Sequence, residues 1–250
     1  MDLIQKCLLP FDKVTLPDLD KVQLMNRTDK KFCLHISELP AVLTAISKYY
    51  SLLEIKGLTI FNYDNTYFDT PDNQMFLSHQ NGKSNRVKIR IRRYVDSDLN
   101  FLEIKLKNNK GWTLKERVEK KEFKPVFTFD EKNFLEQGSP FTWLQLEPKI
   151  RNFFNRITMV NHQFTERVTI DISPGFSNSE KEITLDNLVI IEIKQDNVSE
   201  ESMISNILLE HRIKGQGISK YCLGRALLEE NIKKNNFKPL LLKIKRYYYN

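Results

Sequence analysis

Strict alternation of apolar and charged residues recurs along this chain. Val87-Lys88-Ile89-Arg90-Ile91-Arg92 shows it, and so does Phe101-Leu102-Glu103-Ile104-Lys105-Leu106-Lys107. Leu114-Lys115-Glu116-Arg117-Val118, Arg167-Val168-Thr169-Ile170-Asp171 and Val189-Ile190-Ile191-Glu192-Ile193-Lys194 follow the same style. Successive side chains on a strand point to opposite faces, so each segment predicts a strand with one aliphatic face and one charged face. A half-buried antiparallel sheet with a wet outer face accounts for any one of them. Over five segments, however, the charged faces are mostly Lys and Arg. Two like charges about 7 Å apart repel by roughly 2 kcal/mol at an effective dielectric of about 20. Folding has no use for such a surface; a polyanion does.

The remaining periodicities place the other elements. Residues 1–25 read as an N-terminal arm, and Asn26 to His35 as a first strand. Ser37 caps a helix whose stripe is Leu39, Val42, Leu43 and Ile46. Strands are predicted over Leu52–Lys56 and Thr59–Asp69, with Gly57 between them. Thr70-Pro71-Asp72 starts a short helix, Pro standing early where its missing N–H costs nothing, and Asn81-Gly82 ends it. Strands 86–95, 100–107 and 112–120 follow, the last two joined by Asn108-Asn109-Lys110-Gly111. The spacing over 128–152 predicts helix. Hairpins are expected around Asn161-His162 and around Asp186-Asn187, the second pairing Glu182–Leu185 with Leu188–Gln195. Ser199-Glu200-Glu201-Ser202 opens a helix that runs to Ile213 and stops at Gly215, and Ser219 caps a final one through Leu223, Leu227 and Leu228. The sum is one α+β domain over 1–250, with its core at about 26–225 and a tail over 226–250. Closing the antiparallel strands into a barrel or tunnel would remove exposed edges.

Composition narrows the partner. The 250 residues are 40% hydrophobic and 28% charged, which suits a globular protein with a real core. The net charge of +7 fits an anionic ligand better than a nucleic-acid coat. No zinc-finger spacing, RNA-binding aromatic signature or long basic run supports nucleic acid. Cys7, Cys33 and Cys222 lie far apart, as neither a disulfide framework nor a metal cluster would have them, and point to a reducing compartment. No basic region followed by an apolar core opens the chain, and no apolar run approaches the roughly 20 residues of a membrane span. The expected location is cytoplasmic, with peripheral association with a membrane-protein partner left open.

The order of motifs carries a further signal. Arg27-Thr28-Asp29-Lys30-Lys31-Phe32, Tyr67-Phe68-Asp69-Thr70, Lys88-Ile89-Arg90-Ile91-Arg92-Arg93-Tyr94 and Phe101-Leu102-Glu103-Ile104-Lys105 come first. Arg167-Val168-Thr169-Ile170-Asp171, Ile191-Glu192-Ile193-Lys194 and Ser219-Lys220-Tyr221 complete the series. Over residues 26–225 it resembles the polyphosphate polymerase domain of the vacuolar transporter chaperone (VTC) family, one of the triphosphate tunnel metalloenzymes alongside the CYTH triphosphatases. The resemblance implies an eight-stranded antiparallel tunnel with helices outside. It implies a basic lumen gripping ATP and inorganic polyphosphate or triphosphate, Mn²⁺ or Mg²⁺, and transfer of the terminal phosphate of ATP to a growing chain.

Carried over position by position, the resemblance assigns Lys31 to the first-strand lysine, and Arg90 and Arg92 to the pair holding nucleotide phosphates. Lys105 matches the lysine after the Glu-x-Lys glutamate, while Lys115 and Arg117 fall on the next tunnel strand. Arg167 precedes the Thr-x-Asp strand, Glu192 is the metal-binding glutamate with Lys194 beside it, and Lys220 opens the last helix. Arg27, Asp29, Glu103 and Arg156 are weaker substrate-binding positions. Arg156 is the nearest candidate for an arginine preceding Arg-Val-Thr-Ile-Asp, with Arg151 second. Guanidinium forks match phosphate oxygens bidentately, and phosphoryl transfer rests on positioning and charge stabilisation.

The triphosphatases carry Glu-x-Glu-x-Lys on the first strand, whereas this chain has only Asp29 there. That favours polymerase over tri- or polyphosphate hydrolase; a non-catalytic polyphosphate-binding module is the third reading. Glu103 is assigned either to metal or to a neighbouring arginine. His35, His79, His162 and His211 are scattered surface or turn residues, and Tyr67 and Tyr94 read as sheet packing. Gly215-Gln216-Gly217 reads as helix termination, and Lys243 to Tyr249 as a solvated or partner-docking tail.

Overall fold

The computed structural model describes residues 2–22, 27–110, 112–196 and 202–248, without the side chains of Arg27, Asp196, Tyr247 and Tyr248. Asn26 and the 199–201 part of the expected helix start lie outside the described residues. In chain order the elements are α1 (Asp2–Leu8), β1 (Lys13–Val14), α2 (Leu16–Asp20), β2 (Arg27–His35), α3 (Leu39–Ile46), β3 (Tyr50–Leu53) and β4 (Ile60–Asp69). Then come α4 (Gln74–Gln80), β5 (Arg86–Tyr94), β6 (Leu99–Lys107), β7 (Thr113–Lys120), α5 (Phe129–Gly138) and β8 (Glu147–Asn161). The last are β9 (Glu166–Ser177), β10 (Glu182–Thr184), β11 (Leu188–Asp196), α6 (Met203–Glu210), α7 (Lys220–Leu228) and α8 (Lys238–Tyr248).

The chain is α+β, as expected, and its main sheet runs β2-β11-β9-β8-β4-β5-β6-β7, antiparallel at every step. Closure is the first correction: β2 and β7 do not pair, so the sheet curls into an open trough rather than a closed barrel. Its curvature is nevertheless strong enough that Lys31 of β2 and Lys115 of β7 border one cavity.

The outer face is apolar and covered. Phe32, Ile191, Ile170 and Ile157, from β2, β11, β9 and β8, pack against α1, α3 and α6. Ile89, Ile91, Leu102 and Ile104, from β5 and β6, pack with Leu135 of α5. Lys120 and Glu131 form a buried ion pair (2.8 Å) that ties α5 to β7, and Glu131 also caps the helix at the Thr128 N–H. The inner face is covered towards both ends: Tyr221 and Leu223 of α7 meet Tyr67, Ile150 and Ile190, and Leu19 of α2 packs with Phe61 and Val160.

Two close contacts set the position of α7. A Cβ at Gly224 would stand 2.5 Å from the Phe176 ring, so only glycine lets the helix approach β9 this closely. Asp69, fully buried at the end of β4, accepts the N–H groups of Thr70, Met75 and Phe76 at 2.8–2.9 Å and the hydroxyl of Tyr221. One carboxylate thus caps α4 and pins α7. It also explains why α4 begins beyond Thr70-Pro71-Asp72: the turn leads through Asn73, at φ 63°, before the helix starts.

Three further expectations need correction. Residues 128–152 are helical only over α5, and from Glu147 the chain is the long strand β8. Here both faces carry apolar residues, and a bulge between Phe153 and Asn155 breaks the alternation. The Asp186-Asn187 turn does not form a hairpin: β10 pairs with β9, while β11 lies between β9 and β2. The tail carries α8, whose Ile244 is buried beside α7.

Candidate functional site

Register decides which side chains share the trough. Across β5 and β6, Lys88 stands opposite Lys105 and Arg90 opposite Glu103; across β6 and β7, Lys105 faces Lys115 and Glu103 faces Arg117. On the other wall Glu192 of β11 stands between Lys31 of β2 and Thr169 of β9, and Lys194 between Asp29 and Arg167. Directly opposed residues share a face, so the alternation seen in the sequence delivers these groups to the inner side.

They border a cavity of about 190 Å³. Its walls hold nine basic residues, Lys31, Lys88, Arg90, Arg92, Lys105, Lys115, Arg156, Lys194 and Lys220, against two acids, Glu103 and Glu192. Ten of the residues expected from the sequence therefore meet there. Lys88 joins them although no role had been assigned to it; it stands two residues before Arg90 on the same alternating strand, which was the available signal.

Three expected residues stand elsewhere. Arg117 is exposed on the inner face of β7, its guanidinium 4.6 Å from the Phe101 ring centre. Arg167 donates to the Leu19 carbonyl of α2. Asp29 borders a separate cavity beside Gly215-Gln216-Gly217. The Arg27 side chain lies outside the description. Between the two candidate arginines the structure is clear: Arg156 lines the cavity, whereas Arg151 points to the opposite face and holds Asp64 at 2.5 Å.

The acids differ in how they are held. Glu103 is 2% exposed, with Arg90 on one oxygen at 2.6 Å and Lys115 on the other at 2.7 Å. Burial alone would raise its pKa, but Arg90, Arg92 and Lys115 outweigh it and hold the carboxyl well below the usual range. Glu103 is thus the hub of an ion-pair cluster with Arg90 and Lys115. Asp171, 1% exposed, grips Arg156 through two bonds of 2.6 and 2.8 Å and also binds Lys220. Arg156 and Lys220 likewise overcome burial and depress its pKa.

Glu192 is the exception. Its Oε1 lies 3.8 Å from the Lys31 ammonium and 3.7 Å from that of Lys194, longer than hydrogen bonds. Lys194, Lys31, Lys220 and Arg156 together overcome its burial and hold it ionised far into acid. A deprotonated, loosely held carboxylate in this cavity fits Mn²⁺ or Mg²⁺, which take one or two carboxylates and draw their other oxygens from ligands and water. Among the described residues no three His, Cys, Asp or Glu side chains cluster as an all-protein cage.

The cations are tuned as well. Lys88 donates to Ser219 Oγ, the N-cap of α7, at 3.0 Å; burial, with Lys31 and Arg86 adding, pushes its pKa down. Lys105 reaches the water at the mouth, yet the enclosing walls and then Lys88 bring it down to about 8. Tyr67, read from the sequence as packing, borders the cavity and accepts a hydrogen bond from Arg90 Nη1 at 2.8 Å. Burial would push its hydroxyl up, but Arg90, Arg92 and Lys88 hold it lower.

Among known structures, the chain is similar to a proposed adenylate cyclase from Bacillus halodurans (16% identity, 78% of this chain, 96% of the other, TM-score 0.49). It is also similar to one from Vibrio parahaemolyticus (10%, 80% and 99%, 0.47). A Hippeastrum protein with a dominant triphosphatase activity is comparable (14%, 82% and 98%, 0.45). No curated protein sequence matches. Among the described residues no helix is long and apolar enough to cross a membrane. The family model of the VTC domain matches residues 26–229, which span every strand and helix that borders the cavity, and the chain belongs to that family.

Proposed function

We propose that this protein is a metal-dependent polyphosphate polymerase. A terminal oxygen of the growing chain attacks the γ-phosphorus of ATP, the bond from that phosphorus to the β–γ bridging oxygen breaks, and ADP leaves. The carrying observation is a trough with nine basic residues and one loosely held carboxylate. Arg90, Arg92 and Arg156 offer guanidinium forks for phosphate oxygens, while Lys31, Lys88, Lys105, Lys115, Lys194 and Lys220 supply compact charges along a linear polyanion. Positioning and charge stabilisation are most of what phosphoryl transfer requires. Glu192 would hold Mn²⁺ or Mg²⁺, which when bound neutralises charge developing on the phosphates.

The acids support transfer over hydrolysis. Glu103 and Asp171 are committed to Arg90, Lys115, Arg156 and Lys220. That leaves Glu192 alone loosely held among these three, and no second carboxylate of the set to orient an attacking water. Glu192→Gln keeps the shape and removes the charge. It is expected to lower ADP release from ATP by at least about 100-fold, the scale of losing one transition-state charge contact, while tripolyphosphate still binds by calorimetry. Normal turnover of the variant at saturating Mn²⁺ overturns the assignment.

A further inference from the structure

Charge is distributed very unevenly along this chain. Residues 231–250 hold six basic residues and no acid, whereas residues 1–230 hold 33 basic against 32 acidic. Of the latter, nine basic and two acidic residues border the cavity. The rest of residues 1–230 therefore carry 24 basic against 30 acidic. The body of the protein outside the trough is acidic, and the segment that carries α8 is basic.

The helix α8 presents this charge on one face. Leu240, Leu241 and Ile244 turn inward onto the apolar cluster shared with α7. Lys238, Leu242, Lys245 and Arg246 are exposed, and Lys238 four residues before Leu242 with Lys245 and Arg246 three and four after it places them on one helical stripe. Leu242 is 69% exposed in the middle of that stripe. An apolar side chain framed by cations suits an interface where phosphate headgroups meet acyl chains.

We propose that α8 docks the protein onto an anionic membrane surface, with Lys238, Lys245 and Arg246 on lipid phosphates and Leu242 inserted between headgroups. Outside the trough the rest of residues 1–230 is net acidic, so α8 is the basic surface beyond the trough that an anionic membrane would attract. The exposed leucine favours a lipid surface over a soluble polyanion, which offers Leu242 nothing apolar to meet.

Sedimentation of the full chain with vesicles tests this. Vesicles of phosphatidylcholine with about one third phosphatidylglycerol should bind the protein, and vesicles of phosphatidylcholine alone should not; added salt should release it. Each cation near such a surface contributes about fivefold, so Lys238→Glu, Lys245→Glu and Arg246→Glu together should reduce partitioning on the order of 100-fold or more. Leu242→Ser, which keeps every charge, should reduce it by a smaller factor. Arg90→Ala with Arg92→Ala should leave it unchanged, since those side chains lie in the trough. An unchanged melting temperature shows that each variant is folded. Equal binding to both vesicle types overturns the proposal, as does loss of binding in the Arg90/Arg92 variant rather than the α8 variant. If the α8 variant instead loses affinity for soluble polyphosphate or RNA, with no vesicle binding by the parent, the stripe is a polyanion track and the membrane assignment is wrong.

Discussion

Replacing Asp171 by Asn keeps the size of the side chain and removes the charge that Arg156 and Lys220 share. Breaking a buried pair from one side costs about 3–5 kcal/mol, because the cation left behind stays desolvated. Arg156 and Lys220 keep 13% of their side-chain surface each, so water in the trough relieves part of this and places the loss near the low end, about 3 kcal/mol. In a domain of this size about 1 kcal/mol moves the melting temperature by about 2–4 °C, so the variant should melt about 6–12 °C lower. The sign of the pH dependence follows from the depressed pKa of Asp171. Its contribution is complete above the ordinary carboxylate value of 3.8 and is lost as pH falls through the lower folded value. The gap between parent and variant should therefore be full at neutral pH and shrink only in acid. Scanning calorimetry with and without tripolyphosphate is the assay. Phosphate oxygens can take over the released cations, so ligand at about 100 times its Kd, which adds about 2.7 kcal/mol to the parent, should stabilise the variant more. A variant melting within about 2 °C of the parent, with equal ligand shifts, would refute the reasoning.

Tripolyphosphate should raise the parent's melting temperature well above the shift given by sulfate at equal charge, because a linked chain meets several cations after one association step. Arg90→Ala with Arg92→Ala should erase most of that difference, and equal shifts in the parent would indicate diffuse basicity. Affinity for tripolyphosphate should fall as pH passes about 8, where Lys105 loses its proton. Lys105→Arg should make that decline shallower, since guanidinium stays charged; an equally steep decline in both would exclude Lys105 as a titrating group. Without ligand the sign reverses. The penalty on the Lys105 cation is complete below pH 8 and is relieved as pH rises from about 8 towards its ordinary 10.5, so this group adds stability across that window.

Strands β5, β6 and β7 and the gathering of their cations were legible because alternation is a local property. Arg90 and Lys105 on one face and Ile89 and Ile104 on the other require no knowledge of what lies opposite. The end of β8, Ile157 to Val160, was legible as one arm of the Asn161-His162 hairpin, but the part from Glu147 to Arg156 was not, since Phe153 and Phe154 put apolar groups on both faces and the bulge shifts the period. The partner of β10 was hidden for a different reason. Asp186-Asn187 has hairpin chemistry, but the backbone of Leu185 bonds Pro174 and the strand pairs with β9 instead. Whether β2 meets β7 depends on the accumulated curl of eight strands, which no local pattern encodes. Within the site, residue types on alternating positions were readable, whereas partners were not. That Glu103 and Asp171 are locked by cations while Glu192 is loosely held follows from distances between strands far apart in sequence.

The central claim is that the trough moves the terminal phosphate of ATP onto a growing chain. Incubating the purified protein with γ-labelled ATP and Mn²⁺, then resolving the products on a gel, tests it most directly. The account predicts label in long polyphosphate, one ADP released for each phosphate incorporated, and neither product with Glu192→Gln. Label recovered only as free phosphate would make the protein a hydrolase, and unconsumed ATP that nevertheless binds would make it a polyphosphate-binding module; either result contradicts the account.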